Sequence, residues 1–275
     1  MGILDKLFHS RAVETVRVTV STHNGKVRGN NEDNFSVNGI IKSAEDNIYS
    51  LEDVFNKESL LLEVCDGMGG EENGEIASEI AVKHSAALYE ALKSADGDDA
   101  QIASAVNNYV KAANAEICRE LNNSESRRGG STFALVYIKN GTVYAYSLGD
   151  SRIYLFSGGE LKQISTDHTL AMLKYNANIY TLEEAEKSPD SHALTLFLGA
   201  DVTDRGLSAQ AYEPFELTSG SKILLCSDGL YDMCSKDEIC GILSSNSKNP
   251  AQALVDAALD NGGIDNVTCI VAEIK

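Results

Sequence analysis

The spacing of apolar positions changes along the chain, and the changes divide it into elements. Alternation in "VRVTVSTHNG" (16–25), and the apolar runs of "NFSVNGIIKS" (34–43) and "SLLLEVC" (59–65), predict strands. From 74 to 94 the spacing lengthens, with Ile76, Ile80, Leu88 and Leu92 at multiples of four. Ile102, Val106, Val110, Ile117 and Leu121 likewise keep to one face between 99 and 122. Two long amphipathic helices, antiparallel to each other, are predicted. The segment "STFALVYIKNGTVYAYSLGDSRIYLFSGGELKQIS" (131–165) returns to β character, broken at Asn140-Gly141, Gly149-Asp150 and Gly158-Gly159, the pattern of a β-meander. Residues 170–192 lose the strand pattern, and Thr181 with Glu184 gives a capping box for a short helix. The remainder predicts a strand at "KILLCS", a helix capped by Ser235 with Glu238, another begun at Asn249-Pro250, and a closing strand "NVTCIVAEI". Helix pairs set between runs of strands predict an α+β sandwich: two antiparallel sheets face to face with helices on the outer faces.

Length and charge narrow the function. At 275 residues and 43% hydrophobic content the chain can bury a substantial core, and one domain over 1–275 is expected, with a short leader at 1–15. A net charge of −18 repels nucleic acid and anionic membranes, so neither is an expected partner. No apolar stretch approaches the roughly 18 residues of a membrane span. "MGILDKLFHS" is too short in its apolar part for a signal peptide, and Lys6 stands where an N-myristoylation signal wants Ser or Thr. Cys65, Cys118, Cys226, Cys234, Cys240 and Cys269 form no Cys-x-x-Cys pair, and three lie inside apolar runs. A reduced cytoplasmic protein is the expectation.

The chemistry lies in carboxylates at strand ends. "SLLLEVCDGMGG" and "KILLCSDG" both run from apolar residues into Asp-Gly, at Asp66 and Asp228. Asp33 in "RGNNEDNF", Asp150 in "LGDSR", Asp232, and Asp265 in "GIDNVT" hold similar places. Any one alone is an ordinary turn. Gathered at one rim, they would repel one another without cations between them. Oxygen ligands without clustered His or Cys favour Mg2+ or Mn2+ over Zn2+. Arg28, five residues before Asp33, offers a planar fork for a phosphate dianion. There is no Gly-x-x-x-x-Gly-Lys-Ser/Thr loop, so phosphate removal is favoured over nucleotide chemistry.

In order, "VRGNNEDNF", "VCDGMGG", "GGSTFALV", "LGDSRIYLF", "TDHTL", "LTLFLGA", "LLCSDGLYD" and "DNVTCIV" resemble the metal-dependent serine/threonine protein phosphatases of type 2C, in their bacterial stand-alone form. The resemblance runs from about Val18 to Ile274. It implies a four-layer αββα sandwich with a flap at about 170–195. It implies that Asp66 bridges two metals with the Gly67 carbonyl as a further ligand, and that Asp228 and Asp265 hold one of them. Asp33 would support metal-bound waters, with Glu32 beside it, and Arg28 would hold the substrate phosphate. Asp150 and Asp232, with Asp66, match ligands of a third, weaker metal. Met68 stands where animal members have a proton-donating His; the other histidines (His9, His23, His84, His168, His192) are given no role.

The function expected is hydrolysis of phosphoserine and phosphothreonine in proteins with two tight Mn2+ or Mg2+ ions, opposing a cytoplasmic Ser/Thr kinase in bacterial signalling, by a monomer. A catalytically silent or dedicated-partner regulatory protein on the same fold is the alternative.

Overall fold

The structure, a computed structural model, describes residues 15–43, 45–69, 73–95, 98–124, 128–201 and 206–275. The leader with Lys6, and Gly70, lie outside the described residues.

The strands carry the alternation, but most bury both faces. In β1 (Thr15–His23), Val16, Val18 and Val20 point into the space between two sheets, whereas Thr19 and Ser21 point outward. A hairpin at Asn38-Gly39 joins β2 (Asn34–Val37) to β3 (Ile40–Ile41), and Asn38 takes a positive φ there. Next come β4 (Ile48–Asn56), β5 (Leu60–Cys65) and the two-residue β6 (Gly67–Met68). The predicted helix pair is α1 (Asn73–Ser94) and α2 (Asp99–Asn123), and the Tyr109 hydroxyl donates to the Ala81 carbonyl across it. Ile76, expected inside, is 38% exposed. The buried stripe of α1 instead includes Ala77, Ser78 and Ala81, small enough to let the helix lie close to the sheet.

After β7 (Gly130–Ser131), the strands β8 (Phe133–Lys139), β9 (Thr142–Leu148), β10 (Arg152–Ser157) and β11 (Glu160–Gln163) occupy the predicted meander. It is two hairpins in different sheets. β8 pairs β9 and β10 pairs β11, but β9 and β10 do not pair, so the chain crosses between sheets at Gly149-Asp150. The flap region holds α3 (Leu170–Asn176), α4 (Leu182–Lys187) with its Thr181–Glu184 capping box formed, and a 3-10 turn (Pro189–His192). The chain ends with β12 (Gln210–Ala211), β13 (Phe215–Glu216), β14 (Lys222–Cys226), the single turn α5 (Asp228–Tyr231), α6 (Lys236–Ser244), α7 (Pro250–Asp260) and β15 (Val267–Ile274).

One sheet has the order β11-β10-β14-β15-β1-β4 and the other β12-β9-β8-β5-β2-β3, with β13 also on β9; all these pairings are antiparallel. Their period of two sends each strand into two cores. In β8, Ala134, Val136 and Ile138 face the other sheet, while Phe133, Leu135 and Tyr137 face α1 and α2. In β14, Ile223 and Leu225 face inward and Leu224 and Cys226 pack under α6 and α7. The result is the expected αββα sandwich of four layers. All six cysteines are free.

Candidate metal centre

The pairing register puts the acids at one rim. Cys65 at the end of β5 pairs Asn34 at the start of β2, and Leu148 at the end of β9 pairs Phe133 at the start of β8. In the other sheet, Cys226 at the end of β14 pairs both Cys269 of β15 and Arg152 at the start of β10. Asp66, Asp33 and Asp150 therefore leave one sheet where Asp228 and Asp265 leave the other. The hydroxyl of Ser227 joins the two, donating to Asp33 Oδ2 at 2.7 Å.

Neutral polar groups hold the acids in place. The Asp66 amide donates to Thr132 Oγ1 (2.9 Å) and its carbonyl accepts from the Thr132 amide (2.8 Å). Thr132 Oγ1 lies 2.6 Å from the Ser151 hydroxyl, next to Asp150. Asn266 pins the loop that carries Arg28 and Glu32: its Oδ1 accepts from the Glu32 amide at 2.8 Å, and its Nδ2 donates to the carbonyls of Asn24 and Asn30. Thr132, Ser151, Ser227 and Asn266 were not singled out in the sequence. For Ser151, Ser227 and Asn266 the signal is adjacency, since each stands next to a motif acid; Thr132 lies in "GGSTFALV", a motif without an acid.

The glycine after each Asp serves close backbone approach. A Cβ on Gly67 would lie 2.1 Å from the Gly74 carbonyl oxygen, and one on Gly229 would lie 1.9 Å from the Asn266 carbonyl oxygen. These contacts draw Asp66 toward the loop of Glu32, and Asp228 toward the loop of Asp265.

The cluster is electrostatically strained. Asp33 is fully buried, and burial pushes its carboxyl up to about 6 against hydrogen bonding from Ser227 and Thr268. Its Oδ1 is buried with no hydrogen-bond partner. Asp66 is pushed far above the usual carboxylate range by burial and then by Asp33, Asp228, Asp150 and Asp265. Asp228 is raised by burial, Asp150, Asp232 and Asp265, and Asp150 reaches about 7 through burial and Asp167. Glu32 is raised chiefly by burial. An orphaned carboxylate oxygen amid mutually repelling acids, with hard oxygens as the main donors, fits hard divalent cations.

Arg28 reaches the rim, with Nη2 2.7 Å from Asp265 Oδ2 and its side chain 56% exposed. Met68, paired with Gly130, offers only a thioether. The acids are not wholly without a histidine: His192 Nδ1 lies 3.8 Å from Asp232 Oδ2, and one ligand atom each from His192, Asp228 and Asp232 lies within 4.8 Å of the others. His168 is structural, its Nδ1 accepting from the Gly149 amide and its Nε2 lying 2.7 Å from Gln210 Oε1. Beside the rim, between the flap and α6, a cavity of about 580 Å³ is lined by Arg152, Asp167, Met172, His192, Tyr231 and Asp232, among others.

The chain is similar to known proteins over most of its length. The sequence model of the protein phosphatase 2C family matches residues 44–259. Protein phosphatase PhpP of Streptococcus pneumoniae is 34% identical over 223 residues, which are 77% of this chain and 85% of that protein. The serine/threonine protein phosphatase PstP of Mycobacterium tuberculosis is 30% identical over 269 residues, or 96% of this chain; the chain spans only about half (46%) of that relative's length. The solved structure of the PstP catalytic domain, in complex with two manganese ions, superposes with a TM-score of 0.73 at 28% identity, covering 95% of this chain and 99% of that one. The fold, the rim of acids and these likenesses agree: the chain belongs to the protein phosphatase 2C family.

Proposed function

We propose that this chain is a metal-dependent protein phosphatase that hydrolyses phosphoserine and phosphothreonine in proteins. The observation that carries the reading is the buried, unpartnered Oδ1 of Asp33 within a rim of acids that raise one another's pKa, beside an exposed arginine. Asp66, Asp228, Asp265 and the Gly67 carbonyl would hold two divalent cations, Mn2+ or Mg2+, and Asp150 and Asp232 with Asp66 a third, weaker one. Such ions supply positive charge for a phosphoryl group and lower the pKa of water. The manganese ions of the PstP catalytic domain support the choice of metal.

The chain's own groups do the rest. Arg28 presents its fork to the phosphate, and must loosen its bond to Asp265 to do so. Asp33, held by Ser227, keeps one oxygen free to accept a hydrogen bond, and Glu32 stands beside it on the loop fixed by Asn266. Met68 donates no proton, so the leaving serine or threonine oxygen takes its proton from another source. Every acid of the predicted set is present, which disfavours a catalytically silent relative.

One catalytic unit, a cytoplasmic location, monomeric action and opposition to a Ser/Thr kinase belong to the same reading. No helix among the described residues is long and apolar enough to cross a membrane. The test is phosphopeptide hydrolysis with Mn2+ and after EDTA. Turnover that needs Mn2+ and stops with EDTA is expected; unchanged turnover after complete metal removal overturns the reading.

A further inference from the structure

His192 ends the 3-10 turn Pro189–His192 on the flap. Backbone bonds deliver it to the acid rim independently of its own ion pair. Ser188 Oγ caps the turn by accepting from the Asp190 amide, the Ala193 carbonyl accepts from the Leu170 amide at 2.8 Å, and the Thr195 amide donates to the His168 carbonyl at 2.8 Å. The two ends of the flap are thus tied together next to His192.

The imidazole faces Asp232, which follows α5 as its C-terminal cap, and Asp228, which begins it. Ligands about 2.1–2.3 Å from one ion lie about 3 Å apart when adjacent and about 4.2–4.6 Å apart when opposite. The 3.8 Å between His192 Nδ1 and Asp232 Oδ2 falls inside that range. The 4.8 Å bound on the whole trio exceeds it by about 0.2 Å. A second observation comes from Asp150, which is 6% exposed. The hydrogen bond its carboxylate accepts is from its own backbone, and its charge acts on Asp228 while that of Asp232 acts on it. The buried Asp150 carboxylate thus interacts electrostatically with Asp228 and Asp232, two of the three groups that converge with His192.

We propose that His192 is a nitrogen ligand of the outer cation site, so that the flap is fastened to the catalytic rim through a metal ion. The proposal rests on the phosphatase reading and its third cation. An imidazole in place of a carboxylate or water moves the site's preference from Mg2+ toward Mn2+. Cation concentration then sets how firmly the flap closes the 580 Å³ cavity that His192 and Asp232 help to line.

The test adds Mn2+ stepwise to the metal-free chain of residues 1–275 and reads bound ions by pulsed electron paramagnetic resonance, in which a coordinated imidazole gives a 14N modulation. The modulation should be absent for the first two ions and appear with the third. His192→Asn should abolish it and weaken the third ion by at least roughly tenfold, leaving the first two unchanged. His84→Asn, a change on α1 where His84 pairs with Glu116, should keep it. A third ion that binds the unaltered chain without 14N modulation, or a modulation that survives His192→Asn, overturns the proposal and leaves the third-cation reading standing. If no third ion binds at all, the proposal falls together with the third cation, while the phosphopeptide assay still judges the phosphatase reading separately.

Discussion

Arg28 Nη2 donates to Asp265 Oδ2 at 2.7 Å, so the proposed phosphate-binding group and a proposed cation ligand hold each other. That hydrogen bond and the charge of Asp265 also raise the guanidinium's pKa further. A cation on Asp265 weakens the carboxylate's hold and frees the fork for phosphate, which makes cation and phosphate binding mutually reinforcing.

Arg28→Ala should therefore separate the two. KM for a phosphopeptide should rise about 10–100-fold, matching the ~1.5–3 kcal/mol of a hydrogen bond to a charged group, with a smaller loss in kcat. Mn2+ should bind the phosphate-free variant at least as tightly as the parent. Steady-state kinetics and calorimetric Mn2+ titration check both; an unchanged KM removes Arg28 from the phosphate site.

Metal and proton should compete at the acid rim. Asp33 and Asp150 hold their protons to about 6 and about 7 in the folded chain, above the ordinary aspartate value of 3.8. Between those limits the folded state binds more protons than the unfolded state, so stability without metal falls as pH rises from about 4 to about 7. Saturating Mn2+ should reverse the trend, adding about 2.7 kcal/mol per site at 100 times Kd. Asp66→Asn should raise the metal-free Tm near pH 7, because folding no longer has to hold a proton on a carboxyl pushed far above its ordinary range, and should reduce phosphopeptide turnover by roughly a thousandfold or more. Melting curves in EDTA and in Mn2+ across this pH range decide it. A metal-free stability that rises with pH contradicts the account.

The fold was legible where both faces of a strand are buried, because such strands read as unbroken apolar runs, as at Leu60–Cys65 and Lys222–Cys226. The acids were legible because Asp66 and Asp228 end such runs. The crossover at Gly149-Asp150 was not, since a Gly-Asp turn serves a hairpin and a change of sheet equally well. The four-residue α5 is too short to show a period. His192 meets Asp232 only because the flap returns through the Ala193–Leu170 bond, a contact that no local pattern records.

Glu63 gives a second pH effect away from the metal. It is fully buried between β5 and the helix pair, where Ser85 Oγ and Tyr109 Oη donate to it, and burial raises it to about 7. The folded chain keeps this proton while the unfolded chain loses it near 4.5, so its contribution fades as pH rises to about 7. Glu63→Gln should remove up to about 3 kcal/mol of that loss, partly offset by poorer hydrogen bonding of the amide. In saturating Mn2+, the Tm of the variant should gain on the parent from pH 5 to pH 7.5. Parallel curves would show that Glu63 does not titrate there.

Gly229→Ala tests whether the Asp-Gly pairs serve backbone approach. A methyl group at 229 would sit 1.9 Å from the Asn266 carbonyl oxygen and 3.4 Å from Val267 Cα, and a backbone oxygen cannot rotate away as a side chain can. Either α5 or the start of β15 must shift, and those segments carry Asp228 and border Asp265. Overpacking of this kind costs about 1–3 kcal/mol, and the displacement should separate the two acids. Mn2+ affinity should then fall even where the chain remains folded. Gly241→Ala, at a glycine of α6 with open space around it, should be neutral or slightly stabilising, since alanine favours a helix. Paired Tm and Mn2+-binding measurements on the two variants separate crowding at the site from a general effect of adding a methyl group. Equal Mn2+ affinity in Gly229→Ala and the parent would mean that the approach of these backbones does not set the distance between Asp228 and Asp265.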